Sequence, residues 1–431
     1  MNFTSVSFTD GTINADPRAF GWCEISPTKL ALIYTGTTKD GVRKLFMQMV
    51  YLNGKAPPTF GPVSAIVNYT YNTPNIYPSV CDLQDGRLLI CYHTGGNSVR
   101  FSVIDVDTDD KLSLAFSFGT DQNLYYQQYG VPMVKLAAPG KVLAFMVSSE
   151  TDRTSAFKIV AVSGSSISVS GYNYGARSVR VRHDGGTSGF SLTRTVGQAI
   201  RLDKAGNILL NCATYYFDGS HWHGLSSTAV DKSGNVIGYG HSAVVNDSVL
   251  DYRYGLQKGR GMLPISLPSK ILNLECTAQN GYGTVDQAYR WFQQLSLTTT
   301  YSNGYGVAGS LVAYRDARSI RFDDIIWLEG DYFFAVGLET VSSEGSRDYY
   351  NQFSGNDAAK SQVAYIGKFD DANNSMTIAD TFPMELPTKI SPKQYDHRIL
   401  HKIDGTTVAL IQCVRNQEDT AYELNITVVG A

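Results

Sequence analysis

A short apolar run recurs seven times along the chain, each time just after a turn-forming residue or pair and usually leading into polar residues. The copies are KLALIYTG from Lys29, RLLICYHTG from Arg87, KVLAFMVSS from Lys141, NILLNCATY from Asn207, KILNLECTA from Lys270, DYFFAVGLE from Asp331 and TVALIQCVR from Thr407. A second apolar or alternating segment precedes each of them: AFGWCEI, YPSVCDL, GVPMVKLA, GQAIRLDK, GMLPISLP, DDIIWLEG and HRILHKID. The junctions hold turn formers such as Asp85-Gly86, Pro139-Gly140, Ala205-Gly206, Gly330 and Asp404-Gly405, which is what a tight hairpin requires. Every unit is therefore predicted to open with a β-hairpin.

Beyond a variable polar stretch each unit carries a third strand candidate: KLFMQMVYL, SVRFSVIDV, SAFKIVAVS, GLSSTAVDK, AYRWFQQLSL, SQVAYIGKF and YELNITVVG. Many alternate with period 2, as strands with two different faces do. A fourth, outer strand is weaker in pattern and falls in Pro62–Asn68, Ser113–Phe118, Ile167–Gly171 and Val236–Tyr239. The last unit ends with its third strand, while Asn2–Thr9 (NFTSVSFT) alternates and has no unit of its own. This segment is expected to supply the missing strand and so leave no open edge.

Four antiparallel strands repeated along a chain predict radial repetition, an all-β seven-bladed β-propeller. The blades start near residues 19, 77, 130, 197, 261, 323 and 395, with residues 1–10 as the closing strand of a single domain over 1–431. The repeat is longer than common propeller repeats, and the excess sits in loops.

Composition supports this and narrows the partners. Of 431 residues 43% are hydrophobic and only 17% charged, with 27 Tyr and 40 Gly, a balance that favours strands and turns. A net charge of −3 and the lack of any Lys/Arg-rich run leave no footprint for a phosphate backbone, so nucleic acid is not an expected partner, nor is an acidic lipid surface. The N-terminus MNFTSVSFTDG has neither a basic nor an apolar signal region, and apolar runs stay well short of the roughly 18 residues of a membrane span, so no membrane insertion is expected. Cys23, Cys81, Cys91, Cys212, Cys276 and Cys413 show no CxxC spacing and read as small apolar residues in strands. Neither a metal nor another cofactor is expected.

In such an arrangement the connections from second to third strand, and those from one blade to the next, emerge on one face. Here they are long and aromatic. Between blades they include 68–79, 121–130, 171–186, 251–261 and 301–309, and within blades 215–224, 276–287 and 343–355. Tyr, Asn, Gly and Ser are the makeup of recognition surfaces, and aromatic faces stack on sugar rings. The expected binding anchors are Tyr125, Tyr126, Trp222, Tyr282, Tyr349 and Tyr350. His221, Trp222 and His223 read as an exposed loop tip, since no third metal ligand accompanies the two histidines.

PSVCDLQDGRLLICY (78–92) resembles the first hairpin of sialidase-like propellers, and Asp203-Lys204-Ala205-Gly206-Asn207 and Asp231-Lys232-Ser233-Gly234-Asn235 resemble degenerate forms of that superfamily's Asp-box turn. A full box has Ser two places before its Asp and an aromatic after its Gly, and neither copy has both. Asp16-Pro17-Arg18-Ala19 does not fit the Arg-Ile-Pro motif of sialidases. The resemblance implies three Arg, a Tyr nucleophile and an acidic partner about the axis. Arg177, Arg180, Arg182, Arg253, Arg260, Arg315, Arg318 and Arg398, with Tyr395 and Glu339, supply the residue types, and Asp323, Asp324 and Asp396 supply carboxylates for a general glycosidase. Turn formation or capping is the simpler reading of those Asp, so no residue is assigned as catalytic.

In overall character, low in charge and rich in Ser, Thr, Asn, Gly and Tyr, the chain resembles virion proteins of bacterial viruses, particularly tail or spike propellers. The expectation is a non-enzymatic, virion-located propeller that binds a host-surface glycan or protein through its long-loop face and meets other virion proteins. The alternatives are a sialidase-like or other glycoside hydrolase, and an intracellular protein-binding scaffold propeller.

Overall fold

The computed structural model describes residues 2–8, 13–69, 78–96, 98–123, 131–146, 156–173, 180–181, 187–188, 194–202, 208–217, 221–242, 262–266, 271–278, 288–297, 305–307, 312–315, 319–340, 361–370, 375–384, 398–415 and 422–430. These residues form antiparallel β-sheet and hydrogen-bonded turns. Seven sheets of four or five strands follow one another, and in six of them the first four strands pair in chain order, or nearly so. The first sheet starts with Ile13–Ser26, Lys29–Thr38 and Arg43–Tyr51 and ends with Thr59–Phe60 and Ser64–Asn68, both on the third strand. The second runs Ser79–Asp82, Arg87–Gly95, Ser98–Val106 and Leu112–Ser117, and the third Met133–Lys135, Lys141–Ala144, Lys158–Ser163 and Ser166–Val169. The outer strands thus fall where the weak alternation placed them, and Val236–Ser242 does the same for the fourth sheet.

The seventh sheet departs from chain order at the predicted place. Arg398–Lys402, Thr407–Arg415 and Tyr422–Gly430 are followed in space by Asn2–Phe8, which pairs antiparallel with the last strand from Asn2 opposite Gly430 to Phe8 opposite Leu424. The two ends of the chain are tied by one ladder.

The second strand is apolar at successive positions where both of its faces are covered, as in the first and second sheets. In Arg87–Gly95 the buried side chains alternate between two cores. Leu88, Ile90 and Tyr92 pack with Ala31, Ile33, Leu45 and Met47 of the first sheet, while Leu89 and Cys91 pack with Val142, Ala144, Met146 and Val160 of the third. Phe145 and Phe157 of the third sheet bury against Ile208, Leu210 and Val230 of the fourth. Further on, Phe334 and Val336 meet Leu400, Val408 and Leu410 across the seam of the sixth and seventh sheets. Leu30, Leu32, Tyr34 and Phe46 of the first sheet share a core with Ile399, Ile411, Ile426 and Val428, so the seventh sheet packs against the first. Each Val, Leu, Ile, Phe or Met among them contributes about 1.5–3 kcal/mol by burial, and the described core is a set of seams between sheets. Close approach at one seam requires glycine: a Cβ on Gly21 would lie 2.1 Å from the Pro78 carbonyl oxygen.

The thiols conform to the sequence reading where their side chains are described. Cys81 and Cys91 are buried and Cys23 is half-buried, and burial pushes all three thiols up, that of Cys81 to about 12. Cys212, Cys276 and Cys413 fall within strands.

Candidate functional site

The strand order gives each seam two ends. Connections from first to second strand and from third to fourth emerge at one, the turn end; connections from second to third strand and from sheet to sheet emerge at the other, the loop end.

The turn end is short and internally bonded. In residues 107–111 the Asp107 backbone N–H donates to Lys111 O at 3.1 Å, and its Oδ1 accepts from the N–H groups of Asp109 and Lys111 at 2.9 and 2.8 Å. Residues 231–235 repeat this: Asp231 N–H donates to Asn235 O at 2.8 Å, and Oδ1 accepts from Ser233 and Asn235 at 2.8 and 2.9 Å. The fourth place needs a left-handed backbone, filled by Gly234 at φ 97° and by Asp110 at φ 59°. Aspartate tolerates that region better than most residues. Only the second of these turns is visible by resemblance, because Asp110 stands where a glycine is expected. The other Asp-box-like stretch, 203–207, lies outside the described residues.

Asp110 uses its position to cross a seam. Its Oδ1 accepts from Lys29 Nζ at 2.7 Å, its Oδ2 accepts from the Tyr51 hydroxyl, and the Lys29 ammonium sits 5.7 Å from the Tyr51 ring centroid. Burial works to raise the Asp110 carboxyl, and the bonds from Lys29 and Tyr51 outweigh it and hold it below its ordinary value. Burial and that same carboxylate push the Tyr51 hydroxyl up to about 12. At the next seam Lys135 pairs with Asp82 at 3.0 Å, Gln84 Nε2 donates to Leu136 O at 2.7 Å, and Arg87 holds Asp85 at 2.6 Å while donating to Gly164 O at 2.7 Å. Where the seventh sheet meets the first, His401 is buried with its Nε2 2.9 Å from Pro27 O, edge-on to Trp22.

At the loop end of the second sheet, Arg100 Nε donates to Asp121 Oδ1 at 2.7 Å and Thr94 Oγ1 to Asp121 Oδ2 at 2.8 Å. Burial works to raise the Asp121 carboxyl, but these two donors prevail and hold it low. Gln122 and Asn123 follow, paired with the start of the third strand, and Asn123 Oδ1 lies 3.5 Å from Ser98 Oγ in an exposed, loose contact. Across the seam Lys158 opens the third strand of the third sheet. Its ammonium donates to Gln122 Oε1 at 2.9 Å and sits 4.5 Å from the Tyr172 ring centroid. Burial alone lowers the Lys158 ammonium below its ordinary value. Among the described residues no carboxylate pairs with it.

Of the expected anchors, Tyr125, Tyr126, Tyr282, Tyr349 and Tyr350 lie outside the described residues. Trp222 lies within strand His221–Val230, opposite Tyr216 in the ladder with Ile208–Phe217. His221-Trp222-His223 is therefore strand and not a loop tip, and the connection shrinks to residues 218–220, because the alternation of SHWHGLSSTAV continues to the hairpin. Asp324 and Glu339 fall within the first and second strands of the sixth sheet, with Asp323 at a bulge between Phe322 and Asp324. Arg398 and Arg315 lie in strands, opposite Gln412 and Tyr289, and Arg180 pairs with Ser188 in a two-stranded ribbon. Arg177, Arg182, Arg253, Arg260, Arg318, Tyr395 and Asp396 lie outside the described residues. Gln122 and Tyr172 fall in the expected loop-end segments 121–130 and 171–186, but Lys158 escaped the sequence reading because it is not unusual for its strand, and only the seam brings the three together.

No protein-family model matches the chain, and no curated protein matches it. Among solved structures it is similar to a protein of unknown function from Dyadobacter fermentans, at 12% identity and TM-score 0.46 over 99% of this chain and 98% of that one. It is similar also to the β-propeller domain of the Trilobed protease from Pyrococcus furiosus, at 8% identity and TM-score 0.40 over 92% and 91% of the two chains. The NanB sialidase from Streptococcus pneumoniae matches at 9% identity and TM-score 0.39 over 98% and 70%. Likenesses this distant carry nothing about activity, and the fold rests on the strand pairing above.

Proposed function

We propose that the seven sheets form one domain, a seven-bladed propeller whose last blade is completed by Asn2–Phe8, and that it is a non-enzymatic binding module of a bacteriophage virion. It engages a host-surface glycan or protein through its loop end and leaves other surface for neighbouring virion proteins. The observation that carries this reading is the inequality of the two ends. The turn end spends its charged groups on the fold, as at Lys29–Asp110, Lys135–Asp82 and Arg87–Asp85. The loop end has short connections at 39–42, 96–97 and 218–220, but it also issues the sheet-to-sheet connections and the longest ones within sheets, with the Tyr-rich segments 121–130, 276–287 and 343–355 among them. Rigid scaffold at one end and variable aromatic loops at the other is how binding surfaces are built. Low charge and a Ser, Thr, Asn, Gly and Tyr-rich composition support the virion setting.

The test is attachment of the purified protein to candidate host cells and glycans. Replacing Tyr125 with Tyr126, or Tyr349 with Tyr350, by alanine is expected to weaken attachment about 30-fold, the effect of truncating a true anchor worth about 2 kcal/mol. Variants at the turns Asp85-Gly86 and Asp404-Gly405 are expected to attach like the parent. Equal attachment by folded loop variants, with loss in the turn variants, would assign the wrong end. Robust hydrolysis of sialosides or aryl glycosides abolished by Tyr395→Phe or Asp396→Asn would replace binding with catalysis.

A further inference from the structure

Two lysine–tyrosine pairs lie at neighbouring seams and at opposite ends. Lys29 over Tyr51 at the turn end is completed by a carboxylate, that of Asp110, which takes a hydrogen bond from each. Lys158 lies nearer its ring, that of Tyr172, yet its described hydrogen-bond partner is an amide oxygen, that of Gln122. An ammonium that has lost part of its water without gaining an opposite charge carries a desolvation cost. A ring face and one amide recover part of it; an anion would recover far more. Other partly buried cations nearby are already answered: Arg100 by Asp121, Lys135 by Asp82 and Arg87 by Asp85.

We infer that Lys158, with Tyr172 and Gln122, is a subsite for a carboxylate carried on a glycan, so that the loop end takes an acidic oligosaccharide. This rests on the binding role proposed above and adds the ligand class to it. A carboxylate would complete the loop-end pair as Asp110 completes the turn-end pair. The groups beside it are neutral and polar: the side chains of Ser98 and Asn123 make a loose, exposed contact with each other, and hydroxyl and amide groups of this kind suit sugar hydroxyls. Asp121 does not oppose an incoming anion strongly, because Arg100 and Thr94 engage both of its oxygens.

The experiment uses the full chain and three probes: a glucuronate-containing tetrasaccharide, the same tetrasaccharide with its carboxyl groups reduced to alcohols, and poly-L-glutamate. Binding is measured for the parent, Lys158→Met, Lys158→Arg and Tyr172→Leu, with a denaturation midpoint to confirm that each is folded. The acidic tetrasaccharide is expected to bind at least about tenfold more tightly than the reduced one, a difference of about 1.4 kcal/mol. Lys158→Met should erase that preference, Tyr172→Leu should weaken it, and Lys158→Arg should keep it. If both tetrasaccharides bind alike and Lys158→Met changes nothing, the carboxylate subsite is wrong while glycan binding stands. If poly-L-glutamate binds as tightly through Lys158, the site reads charge alone and the glycan assignment is overturned. Should no probe and no host surface bind, both the subsite and the binding role fall together.

Discussion

Lys29 and Lys158 each lie over a tyrosine at a seam between sheets, at 5.7 and 4.5 Å from the ring centroids, and the two sites differ in what answers the charge. At the turn end the answer is Asp110, held in the fourth place of a hydrogen-bonded turn from the adjoining sheet. At the loop end it is the neutral amide of Gln122. The first site joins two sheets, and its chemistry is complete within the chain. The second is mounted on the same kind of scaffold, and among the described residues no carboxylate completes it. Where two neighbouring seams carry the same local arrangement and, among the described residues, only one completes it with a carboxylate, the other is the place to look for a ligand.

The comparison presupposes one body with fixed seams, and the largest expected effect tests that. Removing residues 1–8 would strip the outer strand from the seventh sheet and expose Tyr422–Gly430 as an edge. We expect a loss of about 3 kcal/mol or more in unfolding free energy, from ladder bonds worth about 0.5–1.5 kcal/mol each, with self-association through the bared edge. An unchanged denaturant midpoint in a monomeric variant would mean that the terminal ladder does not hold the ends together.

Much of this body was legible in the sequence, and the reason is physical. A strand covered on both faces is apolar at successive positions, as in Leu88, Leu89, Ile90 and Cys91, and seven largely apolar runs start within one residue of the second strands, although the fifth carries Asn273 and Glu275. Outer strands keep one solvated face and left only weak alternation, yet Leu112–Ser117 and Ser166–Val169 were still placed. The turn at 107–111 was missed, because the only sign of it in a single sequence is a glycine that the chain replaces with Asp110. The loop tip at His221–His223 was misplaced because aromatic and histidine side chains read as a loop while their alternation is that of a strand. The Lys158 site was invisible for a different reason. Lys158 is separated from Gln122 by a long connection, and no local pattern records that two sheets will abut there.

The next effect in size separates the two ends by acid. Asp110→Asn keeps a side chain that tolerates the left-handed backbone but removes the charge that Lys29 and Tyr51 share. We expect about 1 kcal/mol lost near neutral pH, since the pair is partly exposed. A carboxyl held below its ordinary value of 3.8 contributes stability that is present above that pH and lost as pH falls through the lower, folded value. The parent should therefore lose stability more steeply than Asp110→Asn below about pH 4, measured by denaturant midpoints across that range. Parallel curves would show that the clasp does not hold the seam.

The smallest expected effect is the sharpest, because it predicts a change of sign between two similar lysines. Lys29→Met removes one partner of an ion pair and leaves Asp110 part-buried with only the Tyr51 hydroxyl, so it should destabilise the fold by about 1 kcal/mol. Lys158→Met removes an ammonium that burial already disfavours and that no described carboxylate answers, while keeping an unbranched side chain against Tyr172. Its midpoint should stay within about 0.5 kcal/mol of the parent, and any shift should be upward. The pH dependence follows from the same shift: a lysine held below its ordinary value of 10.5 disfavours the folded state while it is charged, so any advantage of Lys158→Met over the parent should be present near neutral pH and shrink as pH rises toward that range. Added salt separates the pair once more, weakening Lys29–Asp110 by screening and leaving the Lys158 site nearly untouched. If Lys158→Met proved as costly as Lys29→Met at every pH and salt concentration, the loop-end lysine would be a structural clasp like its counterpart, and the chemistry left over for a ligand would have to be sought elsewhere on that face.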